Sequence, residues 1–240
     1  MLADDQAVPK GPMGPARGAG RAPTAAEGVA VLGLGRFGGQ VAASLLRLGH
    51  EVLGIDEDPR LVQQWSDRLT HVAQADTTDN EALRQLGVPD FGRAVVGIGT
   101  DIEASVLTVL ALTEVGVKEI WAKATSSKHG KILSAVGAQH VIYPEAAMGD
   151  RVAHLITSRM LDFIEFDDGF AIAKIRAPED MVGRNLADIG LRTRWGVTVV
   201  GVKTPGREFD YAQASTVIPA DSVLIVAGTT EQVQEFAATT

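Results

Sequence analysis

Val29-Ala-Val-Leu-Gly33-Leu-Gly35-Arg36-Phe37-Gly38 decides the fold. A buried strand ending at Gly33 can turn tightly there, because glycine tolerates the backbone angles such a turn needs. Gly35 lets the main chain approach a pyrophosphate with no Cβ between them, and Gly38 lets the next helix pack closely on the sheet. Free N–H groups and a partial positive charge at the start of that helix then face phosphate. Asp56 closes a second apolar run, Glu51-Val-Leu-Gly-Ile, about 20 residues on, where a carboxylate accepts hydrogen bonds from ribose hydroxyls.

Alone, G-x-G-x-x-G is weak, since glycines are common in loops. Here it follows an apolar run, precedes the helix-like stretch Gln40-Val-Ala-Ala-Ser-Leu-Leu-Arg-Leu48 and has its acid at the required distance. The reading is a nucleotide site.

From Val29 onward, strand-like runs alternate with helical patterns, as in a parallel sheet with crossover helices. The runs are Val29 to Gly33, Glu51 to Asp56, His71 to Ala75, Ala94 to Ile98, Ile120 to Ala124 and His140 to Tyr143. Helices are expected over Ile102 to Val115 and Ser127 to Val136. The fold class is α/β: a Rossmann-like doubly wound sheet of order 3-2-1-4-5-6, followed by a small α+β C-terminal lobe. Residues 146–161 carry apolar residues on one helical face, Met148, Val152, Leu155 and Ile156 among them, and read as a connector. Beyond it, the strand-like runs are Phe170 to Ile175, Val197 to Val202 and Val223 to Val226, and a last helix covers Thr230 to Phe236. Residues 1–27 hold four of the ten prolines and no apolar periodicity, which predicts a disordered tail without a signal peptide's apolar core. The expected organisation is a tail over 1–27, a nucleotide-binding domain over 28–146, a connecting helix over 147–162 and a C-terminal domain over 163–240.

Composition narrows the function classes. The chain has 240 residues, 45% hydrophobic and 22% charged, with no run approaching the roughly 18 to 20 apolar residues of a membrane span. A net charge of −8 argues against a nucleic-acid partner, because phosphate neutralisation calls for a basic face. The absence of cysteine excludes disulfides, thiolate metal sites and a cysteine nucleophile, and suits a reducing cytoplasm.

Ligands in doubly wound sheets sit outside the carboxyl ends of the strands. Those ends carry Gly33 and Gly35, Asp56, Asp76-Thr77, Gly99-Thr100-Asp101, Lys123 and Glu145. Asp76 has two readings, a contact to base or ribose and a helix cap in Asp76-Thr77-Thr78-Asp79. Arg36 stands at a helix start, where the dipole disfavours a cation. It is either a solvated side chain or a planar fork for phosphate oxygens, reaching past a diphosphate to a third phosphate or to a neighbouring subunit. Glu145 lies three strands from the glycine turn, roughly 14 Å at about 4.8 Å per strand. It is either a first-turn Glu of the next helix or a carboxylate meeting phosphate through Mg²⁺ or Ca²⁺.

A dehydrogenase would need a catalytic set. Neither Tyr143 nor Tyr211 has a lysine four residues on, and no pair of the five histidines has zinc spacing. His71 and His140 open strands, at the sheet edge opposite the ligand. The expected protein is not an enzyme.

Several stretches together carry a family resemblance: Gly33-Leu-Gly-Arg-Phe-Gly-Gly, Leu48-Gly-His-Glu-Val-Leu-Gly-Ile-Asp56, Ile120-Trp-Ala-Lys-Ala, Gly137-Ala-Gln-His-Val-Ile-Tyr-Pro-Glu145-Ala-Ala-Met-Gly and Arg194-Trp-Gly-Val-Thr-Val-Val-Gly-Val. Over about residues 28–238 the sequence resembles the RCK (regulator of potassium conductance, or KTN) family, in its KtrA/TrkA-type cytosolic form from bacterial potassium uptake systems. The resemblance implies a homo-octameric gating ring, assembled from dimers under a separate membrane K⁺-translocating subunit of KtrB/TrkH type. ATP and ADP favour different ring shapes, and NAD(H) binds some relatives. It implies Arg36 at the terminal phosphate of ATP, Asp56 at the ribose, Asp76 at the adenosine, Lys123 near the phosphates and Glu145 at a cation, with Phe37, Thr77, Gly99 and Thr100 completing the nucleotide site. It also implies a cytoplasmic protein held at the inner face of the membrane through its partner. By the same resemblance, some relatives bind cyclic di-AMP at the C-terminal dimer interface; here Gly190 stands where relatives can carry Asn. The competing expectations are a small NAD(P)-dependent oxidoreductase and an NADH-sensing regulator without catalysis.

Overall fold

The computed structural model describes residues 28–166 and 168–239, so the expected N-terminal tail lies outside the described residues. The chain divides between Ile142 and Tyr143 into two units.

The first unit alternates strand and helix: β1 (Val29–Leu32), α1 (Arg36–Arg47), β2 (Val52–Asp56), α2 (Pro59–Trp65), β3 (His71–Gln74), α3 (Asn80–Gln85), β4 (Arg93–Val96), α4 (Ile102–Val115), β5 (Glu119–Lys123), α5 (Ser127–Val136) and β6 (His140–Ile142). The strands form one parallel sheet in the order β3-β2-β1-β4-β5-β6, as the alternation predicts. Every residue of β1 and β2 is buried, whereas the edge strands β3 and β6 bury none of theirs. That is why the central strands read as unbroken apolar runs: both of their faces are covered. The pleat splits β1 between two cores. Ala30 and Leu32 join Val96, Leu112 and Leu133 on the side of α3 to α5, and Val29 and Val31 join Leu34, Ala42 and Trp65 on the side of α1 and α2.

The second unit comprises α6 (Pro144–Thr157), β7 (Met160–Glu165), β8 (Phe170–Arg176), α7 (Leu186–Ile189), α8 (Leu191–Trp195), β9 (Thr198–Lys203), β10 (Phe209–Tyr211), β11 (Val223–Thr229) and α9 (Thr230–Thr239). Its antiparallel sheet has the order β10-β9-β11-β8-β7. Alternate residues of β8 and β11, among them Ala171, Ala173, Ile175, Leu224 and Val226, face a core that α9 closes with Val233, Phe236 and Ala237.

One expectation needs correction here. The connector helix ends at Thr157, and Met160 and Leu161 begin strand β7 instead of continuing the helix. The break is local: Ser158 adopts an extended backbone and its hydroxyl donates to the His154 carbonyl, closing off the last turn. On the apolar face of α6, Leu155 packs partly buried against the core of the second unit, while Met148, Val152 and Ile156 are exposed.

Candidate nucleotide site

The glycine turn joins β1 to α1. Gly33 has φ +89°, in the region that favours glycine. A Cβ on Gly38 would lie 1.9 Å from the Gly33 carbonyl oxygen, and one on Gly97, just past β4, would lie 2.8 Å from the same atom. These three glycines are therefore fixed by the protein's own packing. Gly35 differs from them. A Cβ there would meet nothing within 4 Å, and its φ of −62° and ψ of −165° are extended backbone. Nothing among the described residues requires a bare Cα at position 35, and the space it leaves lies at the start of α1.

That helix start is also uncapped. Gly35 is its N-cap, with no side-chain hydrogen bond to the first turn and no acid within that turn. The other α-helices of the first unit are capped: α2 by Asp58, α3 by Asp79, α4 by Asp101 and α5 by Ser126. The helix after β6, α6, also lacks a side-chain cap, but its first residue is Pro144, which has no N–H to offer, and its first turn carries Glu145. An uncapped start leaves main-chain N–H groups and the positive end of a 12-residue helix for an anion.

Asp56 closes β2 beside this turn. It is buried, with Oδ2 2.6 Å from the Leu34 N–H and Oδ1 2.9 Å from the Asp58 N–H, each nitrogen donating. The carboxylate thus braces the glycine turn while keeping further lone pairs for a ribose hydroxyl. On the other side, Lys123 at the end of β5 extends over the loop after β4. Its Nζ lies 5.7 Å from the centre of the Phe37 ring, and a Cβ on Gly99 would come within 3.1 Å of it. Lys123, Phe37 and Gly99 are thereby gathered around the first turn of α1. The Arg36 side chain is exposed and makes no hydrogen bond or ion pair with a described residue. Thr100 is exposed in the same loop as Gly99.

Asp76 and Thr77 part company. Asp76 is exposed and does not cap α3; its Oδ1 accepts from the N–H and hydroxyl of Thr78. The Thr78 hydroxyl first, then its N–H, holds the Asp76 carboxyl below the usual carboxylate range. Thr77 turns inward, its hydroxyl 2.7 Å from that of Thr108 on α4 and buried. That hydroxyl is engaged inside the protein, with Thr108, and not at the exposed rim. Gly97 was missed, although Gly97-Ile-Gly99 was the signal.

In the second unit, Glu145 is a first-turn residue of α6. No cluster of three or more His, Asp or Glu side chains able to hold a metal forms among the described residues. Gly190 has φ +66° between α7 and α8, beside an open cavity of about 370 Å³ lined by Leu186, Leu191 and Val199, among others.

The chain matches the TrkA-N domain over residues 29–144 and the TrkA-C domain over residues 170–239. Potassium uptake protein C of the Ktr system of Bacillus subtilis (strain 168) is 35% identical over 208 residues, covering 86% of this chain and 94% of its own length. The chain belongs to the Ktr/TrkA family of RCK proteins. Two solved structures share the fold, the GsuK RCK domain (TM-score 0.63, 18% identity) and the GsuK channel bound to NAD (TM-score 0.61, 18% identity). Each alignment spans 90% of this chain, with 48% of the first structure's chain and 40% of the second's. In this RCK protein the TrkA-N segment coincides with the parallel sheet and its glycine turn, and the TrkA-C segment runs from β8 to α9, four of the five strands of the antiparallel sheet. No helix among the described residues is long and apolar enough to cross a membrane.

Proposed function

We propose that this RCK protein is the cytosolic nucleotide-sensing subunit of a bacterial potassium uptake system, acting on a separate membrane K⁺-translocating protein of KtrB/TrkH type. The carrying observation is the likeness to a Ktr potassium uptake protein over 94% of that relative's length, on a chain whose α1 start is left open for phosphate. ATP and ADP are the ligands. The diphosphate lies against the α1 start near Gly35 and Lys123, the ribose meets Asp56, the adenosine lies toward Asp76, and Arg36 engages the terminal phosphate that ATP alone carries. Regulation then needs only a difference in affinity between two assembly shapes, since a ligand that binds both equally shifts nothing. The reading contains no catalytic step.

Exposed apolar residues favour self-association as the way that difference is transmitted. Ile102, Leu107 and Leu110 on α4 and Met148, Val152 and Ile156 on α6 are all exposed, more apolar surface than isolated helices need. Dimers built through such faces and closed into an octameric ring, held at the inner face of the membrane by the partner, fit this pattern. If Mg²⁺ or Ca²⁺ accompanies ATP, Glu145 supplies one hard oxygen, and phosphate oxygens, water or a second copy must supply the rest. Cyclic di-AMP beside Gly190 remains part of the proposal for the C-terminal unit.

One observation favours a second ligand. A carboxylate at the end of β2 suits the ribose of a dinucleotide as well as that of ATP, so NAD(H) sensed without turnover is the alternative. Potassium flux through the reconstituted partner tests the proposal: ATP and ADP are expected to differ in effect. Equal flux with either, together with a response to NADH, would replace it by the alternative.

A further inference from the structure

Trp65, the last residue of α2, touches the glycine turn through Leu34. Its indole Nε1–H donates to the Leu34 carbonyl at 3.1 Å, and the side chain is nine-tenths buried. Leu34 is the residue between Gly33 and Gly35, and its N–H is the one taken by Asp56 at 2.6 Å. Both main-chain groups of the central turn residue are thus held by side chains that follow β1, one from the end of β2 and one from the end of α2. The Leu34 side chain is buried as well and packs over Gly54 in β2, where a Cβ would come within 3.0 Å of it. The indole also fixes the helix after the turn. A Cβ on Gly39 would lie 2.3 Å from Trp65 Cζ2 and 3.1 Å from the Leu34 oxygen, so ring, carbonyl and helix backbone share one contact.

We infer that Trp65 is a positioning residue for nucleotide binding, and that its N–H sets the turn. Without that donor, the buried Leu34 carbonyl loses its partner and the turn is free to rotate its peptide units. The α1 N–H groups aimed at the phosphates leave their alignment with it. The effect falls on what every nucleotide shares, the diphosphate and ribose, and leaves the terminal-phosphate preference at Arg36 alone. This rests on the nucleotide reading above.

The test measures ADP and ATP affinity by calorimetry for the native chain, for Trp65→Phe, and for a chain carrying benzothienylalanine at position 65, which keeps the indole shape with sulfur in place of the N–H. The isostere separates the hydrogen bond from packing, because a purely structural ring leaves its affinity native. Expected is a loss of about three- to tenfold for both nucleotides in the isostere, with the ATP to ADP ratio unchanged, and an equal or larger loss in Trp65→Phe. Native affinity in the isostere overturns the inference while the nucleotide site stands. If the native chain binds neither nucleotide, the functional reading falls and the role of Trp65 falls with it.

Discussion

Five helices of the first unit, α1 to α5, each follow a strand of one parallel sheet, and four of them close their own first turns. Asp58, Asp79, Asp101 and Ser126 each accept a main-chain N–H, whereas the start of α1 has only Gly35. A capped start is finished, and an uncapped one in the same sheet has room for an anion. The contrast repeats within the turn itself, where Gly33, Gly38 and Gly97 are required by the protein and Gly35 is not.

That division into structural and ligand-facing positions can be broken by substitution. The largest effect is expected at Gly38→Ala. Its new Cβ would sit 1.9 Å from a backbone oxygen that cannot swing away. Overpacking of this kind costs about 3 kcal/mol, and a denaturant midpoint close to native would show that α1 is not wedged against the turn. Next comes Arg36→Ala, which alters an exposed side chain and leaves stability within about 0.5 kcal/mol. It is expected to weaken ATP by about tenfold or more, the scale of a charge-assisted hydrogen bond, and ADP hardly at all. Equal losses for both nucleotides in calorimetry would remove Arg36 from the terminal phosphate. The smallest effect sharpens the other side of the contrast. Asp101→Ala removes the cap of α4, whose Oδ1 accepts from the Ala104 N–H. It is expected to cost about 1 kcal/mol in chemical denaturation with ADP affinity unchanged, and a weakened ADP site would mean that the capped starts also serve the ligand.

The sequence made the first unit legible for a physical reason. Strands buried on both faces are continuous apolar runs, and the residues at their ends are glycines and acids, so run and punctuation coincide. Glycine spacing likewise located the turn, Asp56 and the basic groups near it. The second unit was harder because its signals overlap. Leu155, Ile156, Met160 and Leu161 keep a helical spacing across Ser158, where the chain in fact changes from helix to strand. Phe209-Asp-Tyr211 forms an edge strand with all three residues exposed, so no buried face imposes an alternation. Within the site, Thr77 and Trp65 mark the limit of motif reading. Thr77 adjoins the rim yet hydrogen-bonds inward to Thr108, while Trp65 stands 30 residues after Gly35 and braces the turn through Leu34. Neither contact follows from spacing, since each depends on how two elements meet in space.

The most direct test of the open helix start is Gly35→Ala, with thermal midpoint and ADP affinity measured on the same sample. Alanine gains about 0.4 to 1 kcal/mol from a less flexible unfolded chain and loses a similar amount by replacing glycine at an N-cap, so the midpoint should stay near native. If Gly35 is bare for the sake of phosphate, the added Cβ lowers ADP affinity by about tenfold or more. Native ADP affinity in that variant, at native stability, would contradict the account at its centre.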